Sequence, residues 1–222
     1  MNKLKPPKLV IFDMDGTMLD TEPPSMEGWH AAAKEMGLNL STEEFQTIFN
    51  KIIGTNTENC KAVLRRHLGE TFEVEKAFEI HLAYMDSYFE EHGVPIKPGL
   101  IELLNKLEQL NIKKCVATST QRERATQKLT AAGLAHRFEV IVGGDDVIRS
   151  KPNPDIFLRA AELCKINPAD CLVLEDSEAG TEGGYRAGMC VINIPDLVPP
   201  SDKVREMSFA VCKDLFEVAE ML

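Results

Sequence analysis

Apolar positions along the chain fall into two kinds of pattern. Short, almost uninterrupted apolar runs occur at Leu9–Phe12, Cys115–Ala117, Val140–Val142, Cys171–Leu174 and Val191–Ile194. Runs this short, apolar on both faces, predict strands of a parallel sheet covered by helices on either side. Helix signals fill the intervals between the last four. Residues 121–133 open on the capping-box pattern Thr120-x-x-Glu123 and stop at Gly133. Residues 154–165 open with Asn153 as cap and Pro154 in the first helical position, and residues 178–187 stop at Gly188. The first strand breaks this rhythm. After Asp13 no good strand pattern recurs before Pro98-Gly99, and helical patterns occupy 24–36, 42–50, 57–68 and 73–92. The expected fold is therefore α/β: a Rossmann-like parallel-sheet core from residues 1–20 and 95–222, carrying a helical domain inserted as residues 21–94. Thr21–Pro24 and Val94–Gly99 serve as its two connections, which places the insertion above the carboxyl end of the first strand. Open α/β sheets collect their ligands there. Phe45, Phe49, Phe78, Met85 and Phe89 read as the insertion's own core.

Composition narrows the partners. The chain carries 35 acidic against 25 basic side chains, a formal charge of −10, and no Lys/Arg stripe that could neutralise a run of phosphates. Nucleic acid and anionic membrane are thereby disfavoured. At 44% apolar residues in 222, a disordered chain is also disfavoured. The six cysteines form no C-x-x-C pair and sit mostly inside apolar runs, as reduced core residues do. The apolar run at Leu9–Phe12 is too short for a signal segment or a membrane span. The expectation is a cytoplasmic protein, monomeric or weakly dimeric, acting on a small molecule.

Four polar stretches follow the apolar runs, where a parallel sheet would bring them together. Asp13-Met14-Asp15-Gly16-Thr17 ends the first run with two carboxylates at i and i+2, which point the same way in extended chain. Gly16 allows a sharp turn there. Thr118-Ser119-Thr120 opens a helix, so a hydroxyl and unpaired helix-start N–H groups can hold an anion. Thr120 itself reads as the helix cap. In Ser150-Lys151-Pro152-Asn153-Pro154-Asp155, Pro152 steers Lys151 away from helical geometry and suits it to neutralise bound charge. Glu175-Asp176-Ser177 places two carboxylates at the end of a buried strand, where they are costly unless paired or bound to a cation. Together with Asp13 and Asp15 they are the hard oxygen donors that Mg²⁺ prefers. Ser177 also suits the cap of the helix that follows. The five histidines, His30, His67, His81, His92 and His136, show no metal-ligand spacing and read as ordinary helix or surface residues.

Asp13-x-Asp15-Gly16-Thr17, Thr118-Ser119, Lys151-Pro152 and Glu175-Asp176 resemble, in order and spacing, the four motifs of the haloacid dehalogenase superfamily. The resemblance spans essentially the whole chain, with the insertion in the place of that superfamily's helical cap, and is strongest to the phosphatases and β-phosphoglucomutases. It implies a Mg²⁺-dependent phosphatase acting on a small phosphorylated metabolite through an aspartyl-phosphate. Asp13 would be the nucleophile and Asp15 the general acid, then base. The metal would be held by the Asp13 carboxylate, the Asp15 carbonyl and Asp176, with Glu175 a further ligand or a partner through water. Thr118, Lys151 and the N–H groups of Met14, Asp15 and Ser119 would bind the phosphoryl oxygens. The need for cations is physical: two unit charges about 4 Å apart repel by roughly 4 kcal/mol at an effective dielectric of about 20.

A dehalogenase would have no use for Asp15 or for a metal. A sugar-phosphate mutase uses the same motifs, but that group carries a His and an Arg where this chain has Ser25 and, in Ile53-Gly54-Thr55-Asn56, Asn56. A non-catalytic binding protein would not be expected to keep all four motifs. Glu22, Ser25, Trp29 and Asn56 near the connections would set the substrate, leaving sugar phosphates, polyol phosphates and nucleoside monophosphates open. Pro23, Pro24, Pro98 and Gly99 stand at hinge-like places for closure of the cap. The whole reading requires Asp13, Asp15, Glu175 and Asp176 to gather around one ion.

Overall fold

A computed structural model describes residues 4–53 and 55–222. Strand β1 (Leu9–Phe12) is followed by four helices: α1 (Glu22–Glu35), α2 (Thr42–Ile52), α3 (Thr57–Leu68) and α4 (Val74–His92). Then come α5 (Leu100–Gln109), β2 (Lys113–Ala117), α6 (Arg122–Ala131), β3 (Val140–Val142) and α7 (Asp155–Cys164). The chain finishes with β4 (Cys171–Glu175), α8 (Glu178–Arg186), β5 (Cys190–Asn193), α9 (Asp202–Met207), β6 (Ala210–Val211) and α10 (Leu215–Met221).

The six strands form one parallel sheet in the order β3-β2-β1-β4-β5-β6. The order reverses between β1 and β4, which opens a crevice at their carboxyl ends. Alternating side chains of β1 serve opposite faces. Val10 and Phe12 pack with the leucines of α5, with Ala125 and Leu129 of α6 and with Leu215 and Val218 of α10. Leu9 and Ile11 pack with Ile156, Phe157 and Ala160 of α7. Burial on both faces is why these strands read as solid apolar runs. Four elements lay outside the pattern reading: α5, α9, β6 and α10. Ala210–Val211 is a two-residue edge strand, half-buried and too short to show a period. The leucines at 100, 103, 104 and 107 do repeat at helical spacing, a signal that could have placed α5.

The helices α1–α4 enclose a third apolar cluster, built on Trp29, Phe45, Phe49, Leu64 and Val74 with Phe78 against it. Met85 and Phe89 lie elsewhere: Met85 lines the cleft below and Phe89 is half-buried against Tyr88. Helix α1 begins at Glu22 because Pro23 and Pro24 fit its first turn, where their missing N–H groups are not needed. Ser41 and Glu44 make a reciprocal capping box at α2. The two chain crossings beside this bundle are tied together. Leu19 bridges Ile96, Asp20 N–H donates to the Pro95 carbonyl and Lys97 N–H to that of Met18. Lys97 Nζ spans Asp20 at 3.2 Å and Asp196 at 2.6 Å.

Two caps differ from expectation. Helix α6 starts at Arg122 without a side-chain cap, its Arg122 N–H donating instead to Asp145 Oδ1, because Thr120 is engaged elsewhere. Helix α7 takes Pro154 as its cap residue, and Asn153 turns back to the Ser150 carbonyl. Ser177 does cap α8, accepting from Gly180 N–H.

Candidate active site

Neighbouring strands β2, β1 and β4 deliver Thr118, Asp13 and Glu175 to one edge of the sheet. Asp13 N–H still donates to the Leu174 carbonyl, so the first residue past β1 is held in register with β4. Lys151 reaches in from the loop before α7, its peptide bond to Pro152 cis. Its Nζ lies 2.5 Å from Asp13 Oδ1, 2.7 Å from Glu175 Oε1 and 3.2 Å from the Ala117 carbonyl, with the Phe157 ring beneath it. Glu175 Oε2 accepts from Ser177 N–H and Oγ, and Thr17 Oγ1 donates to Asp176 Oδ1 at 2.9 Å. Two glycines make room. A Cβ on Gly16, whose φ is +84°, would come within 2.5 Å of Asp176 Oδ2, and one on Gly180 within 1.7 Å of Glu175 Oε1.

Asp13, Glu175 and Asp176 bring one carboxylate oxygen each to within 4.8 Å of one another. Burial pushes Asp13 up to about 8, against the opposing charge of Lys151 and with reinforcement from Glu175. Burial, then Glu175 and Asp13, likewise raise Asp176 well above the carboxylate range. For Lys151 burial works against the charge, yet Asp13 and Glu175 outweigh it and raise the ammonium above its usual range. One ammonium thus faces three carboxylates, and hard oxygen donors in that arrangement fit a divalent cation of the Mg²⁺ type.

The Asp15 carboxylate is not part of this group. It accepts from Thr21 Oγ1, Thr120 Oγ1 and Lys128 Nζ, each at 2.7 Å. Burial disfavours its charge, but Lys128 and these hydrogen bonds prevail and hold it below the usual range. Thr120, expected as a helix cap, spends its hydroxyl here. Met14 is in the core with its carbonyl accepting from Met18 and Leu19. Among the described residues, the N–H groups of Met14 and Asp15 meet no backbone acceptor.

A cleft of about 320 Å³ opens between the sheet edge and the four-helix bundle. Asp13, Asp15, Thr118 and Ser119 line it, while Lys151, Glu175 and Asp176, grouped with Asp13, are not part of its lining. Arg124 and Lys128 of α6 form one wall, and Glu22, Ser25, Trp29 and His81 face them from α1 and α4. His81 is therefore no ordinary helix residue. It stacks on Trp29 with ring centroids 4.3 Å apart, meets Ser25 Oγ at 3.1 Å, and is driven down to about 4 chiefly by burial. Lys128 and His81 carried no local signal, since their neighbours come from other parts of the chain.

An all-parallel sheet with helices on both faces and a carboxylate centre at its switch point defines an α/β enzyme. Its family follows from comparison: the chain belongs to the haloacid dehalogenase-like hydrolases, whose family model matches residues 10–194. It is 31% identical to Protein CbbY of Rhodobacter capsulatus, over 85% of each chain. To hexitol phosphatase A of Escherichia coli it is 32% identical, over 87% of each. The crystal structure of CbbY from Rhodobacter sphaeroides in complex with phosphate superposes with a TM-score of 0.81, covering 96% of both chains at 22% identity, a likeness of fold.

Proposed function

We propose that the protein is a Mg²⁺-dependent phosphatase of small phosphorylated metabolites, working through a phosphoenzyme on Asp13. The observation that carries this is the setting of Asp13: at the floor of the cleft, one oxygen on Lys151, and beside two further carboxylates. Relatives named as phosphatases of phosphorylated sugars and polyols support it.

In this reading Asp13 Oδ attacks phosphorus in line, forming an O–P bond as the bond to the leaving oxygen breaks. Asp15 gives that oxygen its proton. Water then attacks phosphorus, Asp15 takes the proton, and the bond to Asp13 breaks to release phosphate. Asp15 is ionised while Lys128 holds it, the form that deprotonates water; serving as acid requires that contact to open. Thr118, Lys151 and the N–H groups of Met14, Asp15 and Ser119 hold the phosphoryl oxygens. Asp13, Asp176 and the Asp15 carbonyl would hold Mg²⁺, with Glu175, whose oxygens are taken by Lys151 and Ser177, as an outer partner. When bound, the ion supplies positive charge between the anionic nucleophile and the anionic phosphoryl group. Helices α1–α4, as residues 21–94, act as a cap over the core formed by 1–20 and 95–222.

A phosphate-release screen over phosphorylated metabolites tests this. Turnover is expected with Mg²⁺ and not with chelator; Asp13→Asn removes it and traps no phosphoenzyme, and Asp15→Asn slows it at least 100-fold. Isomerisation of hexose phosphates without phosphate release would replace the reading with that of a mutase.

A further inference from the structure

Asp176 has the weakest hold on the sheet of the three grouped carboxylates. It stands one residue past β4, and among the described residues neither its N–H nor its carbonyl enters a backbone–backbone hydrogen bond. Its two neighbours do: Asp13 N–H donates to the Leu174 carbonyl, and the Glu175 carbonyl accepts from Ile194 N–H at 2.7 Å. Carboxylates gathered without a cation between them repel one another, so a member outside the ladder needs some other tether. Side chains supply it. Thr17 Oγ1 holds the Asp176 carboxylate, and the main chain is held by Asn193, the last residue of β5. Asn193 Nδ2 donates to the Asp176 carbonyl at 3.2 Å and to Thr181 Oγ1 of α8 at 3.1 Å.

Asn193 and Thr181 are both fully buried, yet Asn193 Oδ1 has no partner among the described residues. Turning the amide over does not help, because Oδ1 would then face the Asp176 carbonyl, acceptor against acceptor. A buried oxygen without a partner weakens the fold. The strand itself has no need of an amide here. The Asn193 carbonyl accepts from Cys212 N–H whatever side chain the residue carries, and β5 is otherwise Cys190, Val191 and Ile192. What Asn193 supplies that an apolar residue could not is its pair of amide hydrogens, one of them on Asp176.

Resting on the Mg²⁺-dependent phosphatase reading, we propose that Asn193 and Thr181 are positioning residues for the metal site, Thr181 fixing the amide and the amide fixing the Asp176 main chain, so that the Asp176 carboxylate stays turned toward Asp13 and Glu175. Fold stability is given up at Asn193 Oδ1 in exchange for metal affinity.

The test is calorimetric titration of the metal-free protein with Mg²⁺, beside Tm measured in chelator. Asn193→Leu, close in volume, should raise the Mg²⁺ dissociation constant about 5- to 10-fold. Its metal-free Tm should equal or exceed the parent's, since the unpaired oxygen leaves with the amide and water can serve the carbonyl of half-buried Asp176. Thr181→Val should raise the constant about 3-fold, while Thr181→Ser, which keeps the hydroxyl, should leave it unchanged. Asn193→Leu combined with Thr181→Val should bind Mg²⁺ as Asn193→Leu alone does, because the two residues act as one chain of contacts. An unchanged constant in Asn193→Leu, a fall in its metal-free Tm, or losses that add in the double variant would each overturn the positioning role. A parent that binds Mg²⁺ and releases phosphate while the variants bind the ion equally well loses this inference alone; a parent that binds no Mg²⁺ loses the metal-dependent reading with it.

Discussion

Lys151 and Glu22 are the two residues whose burial has most consequence, and they answer it in opposite ways. Lys151 keeps its charge by gathering Asp13, Glu175 and a backbone carbonyl around it. Removing one partner from such a cluster leaves the rest buried and unpaired, which is why it holds Asp13 in one place. Among the described residues Glu22 has no such partners, and burial pushes its carboxyl up to about 8. That has a consequence for stability. With a folded pKa of about 8 against an ordinary 4.5, Glu22 binds a proton in the folded chain that the unfolded chain has lost. Its contribution is therefore fully present below pH 4.5 and is lost as pH rises to about 8. Glu22→Gln should abolish this loss, so urea unfolding should show the variant gaining on its parent between pH 5 and pH 9. Asp13 is raised in the same direction in both proteins, and Asp176, for which Glu22 is one of the raising causes, adds to the difference with the same sign. A constant difference across that range would mean that Glu22 is ionised in the folded state.

At the scale of elements, helix α8 is shaped by the residue that precedes it. Gly180 sits where the Glu175 carboxylate passes, and Gly184 where Val173 and Val191 press against the helix. These glycines weaken the helix intrinsically by about 1 kcal/mol each relative to alanine, and close approach to the sheet compensates. Gly180→Ala should push Glu175 aside and disturb Lys151 with it. The expected result is a loss of about 1–3 kcal/mol of stability and at least a tenfold drop in phosphate release. Gly188→Ala is the control: its Cβ would meet nothing within 4 Å and only its φ of +72° resists, costing about 1–2 kcal/mol with turnover kept. Equal effects of both substitutions on turnover would show that the Glu175 contact has no part in the chemistry.

Across the whole molecule, the candidate metal group joins residues that are far apart in the chain, since Asp13 follows β1 and Glu175 and Asp176 come at and after β4. Such a group repels itself when the protein folds and is relieved when a cation binds, so Mg²⁺ should act as a stabilising ligand. At 100 times its dissociation constant the gain is about 2.7 kcal/mol, or roughly 5–10 °C in Tm for a chain of this size. Differential scanning calorimetry with Mg²⁺ and with chelator measures it, and Asp176→Asn should shrink the shift. No shift in the parent protein would remove Mg²⁺ from the mechanism.

The strands that build the core, and the polar stretches at their ends, were legible because burial on both faces leaves an apolar run that needs no partner to be recognised. The edge strand β6 was not, being two half-buried residues whose pairing with β5 is their only distinguishing feature. The order of motifs likewise pointed to Asp13, Asp15, Thr118, Lys151, Glu175 and Asp176, since each sits where its own strand or loop ends. What tertiary structure alone decided was pairing. It gave the Asp15 carboxylate to Lys128 and Thr120, turned Thr120 from cap to partner, and closed His81 onto Ser25 and Trp29. Local patterning determines which residues reach a strand end or a helix face; which charges meet there depends on distances between segments remote in sequence, and those exist only once the chain has packed.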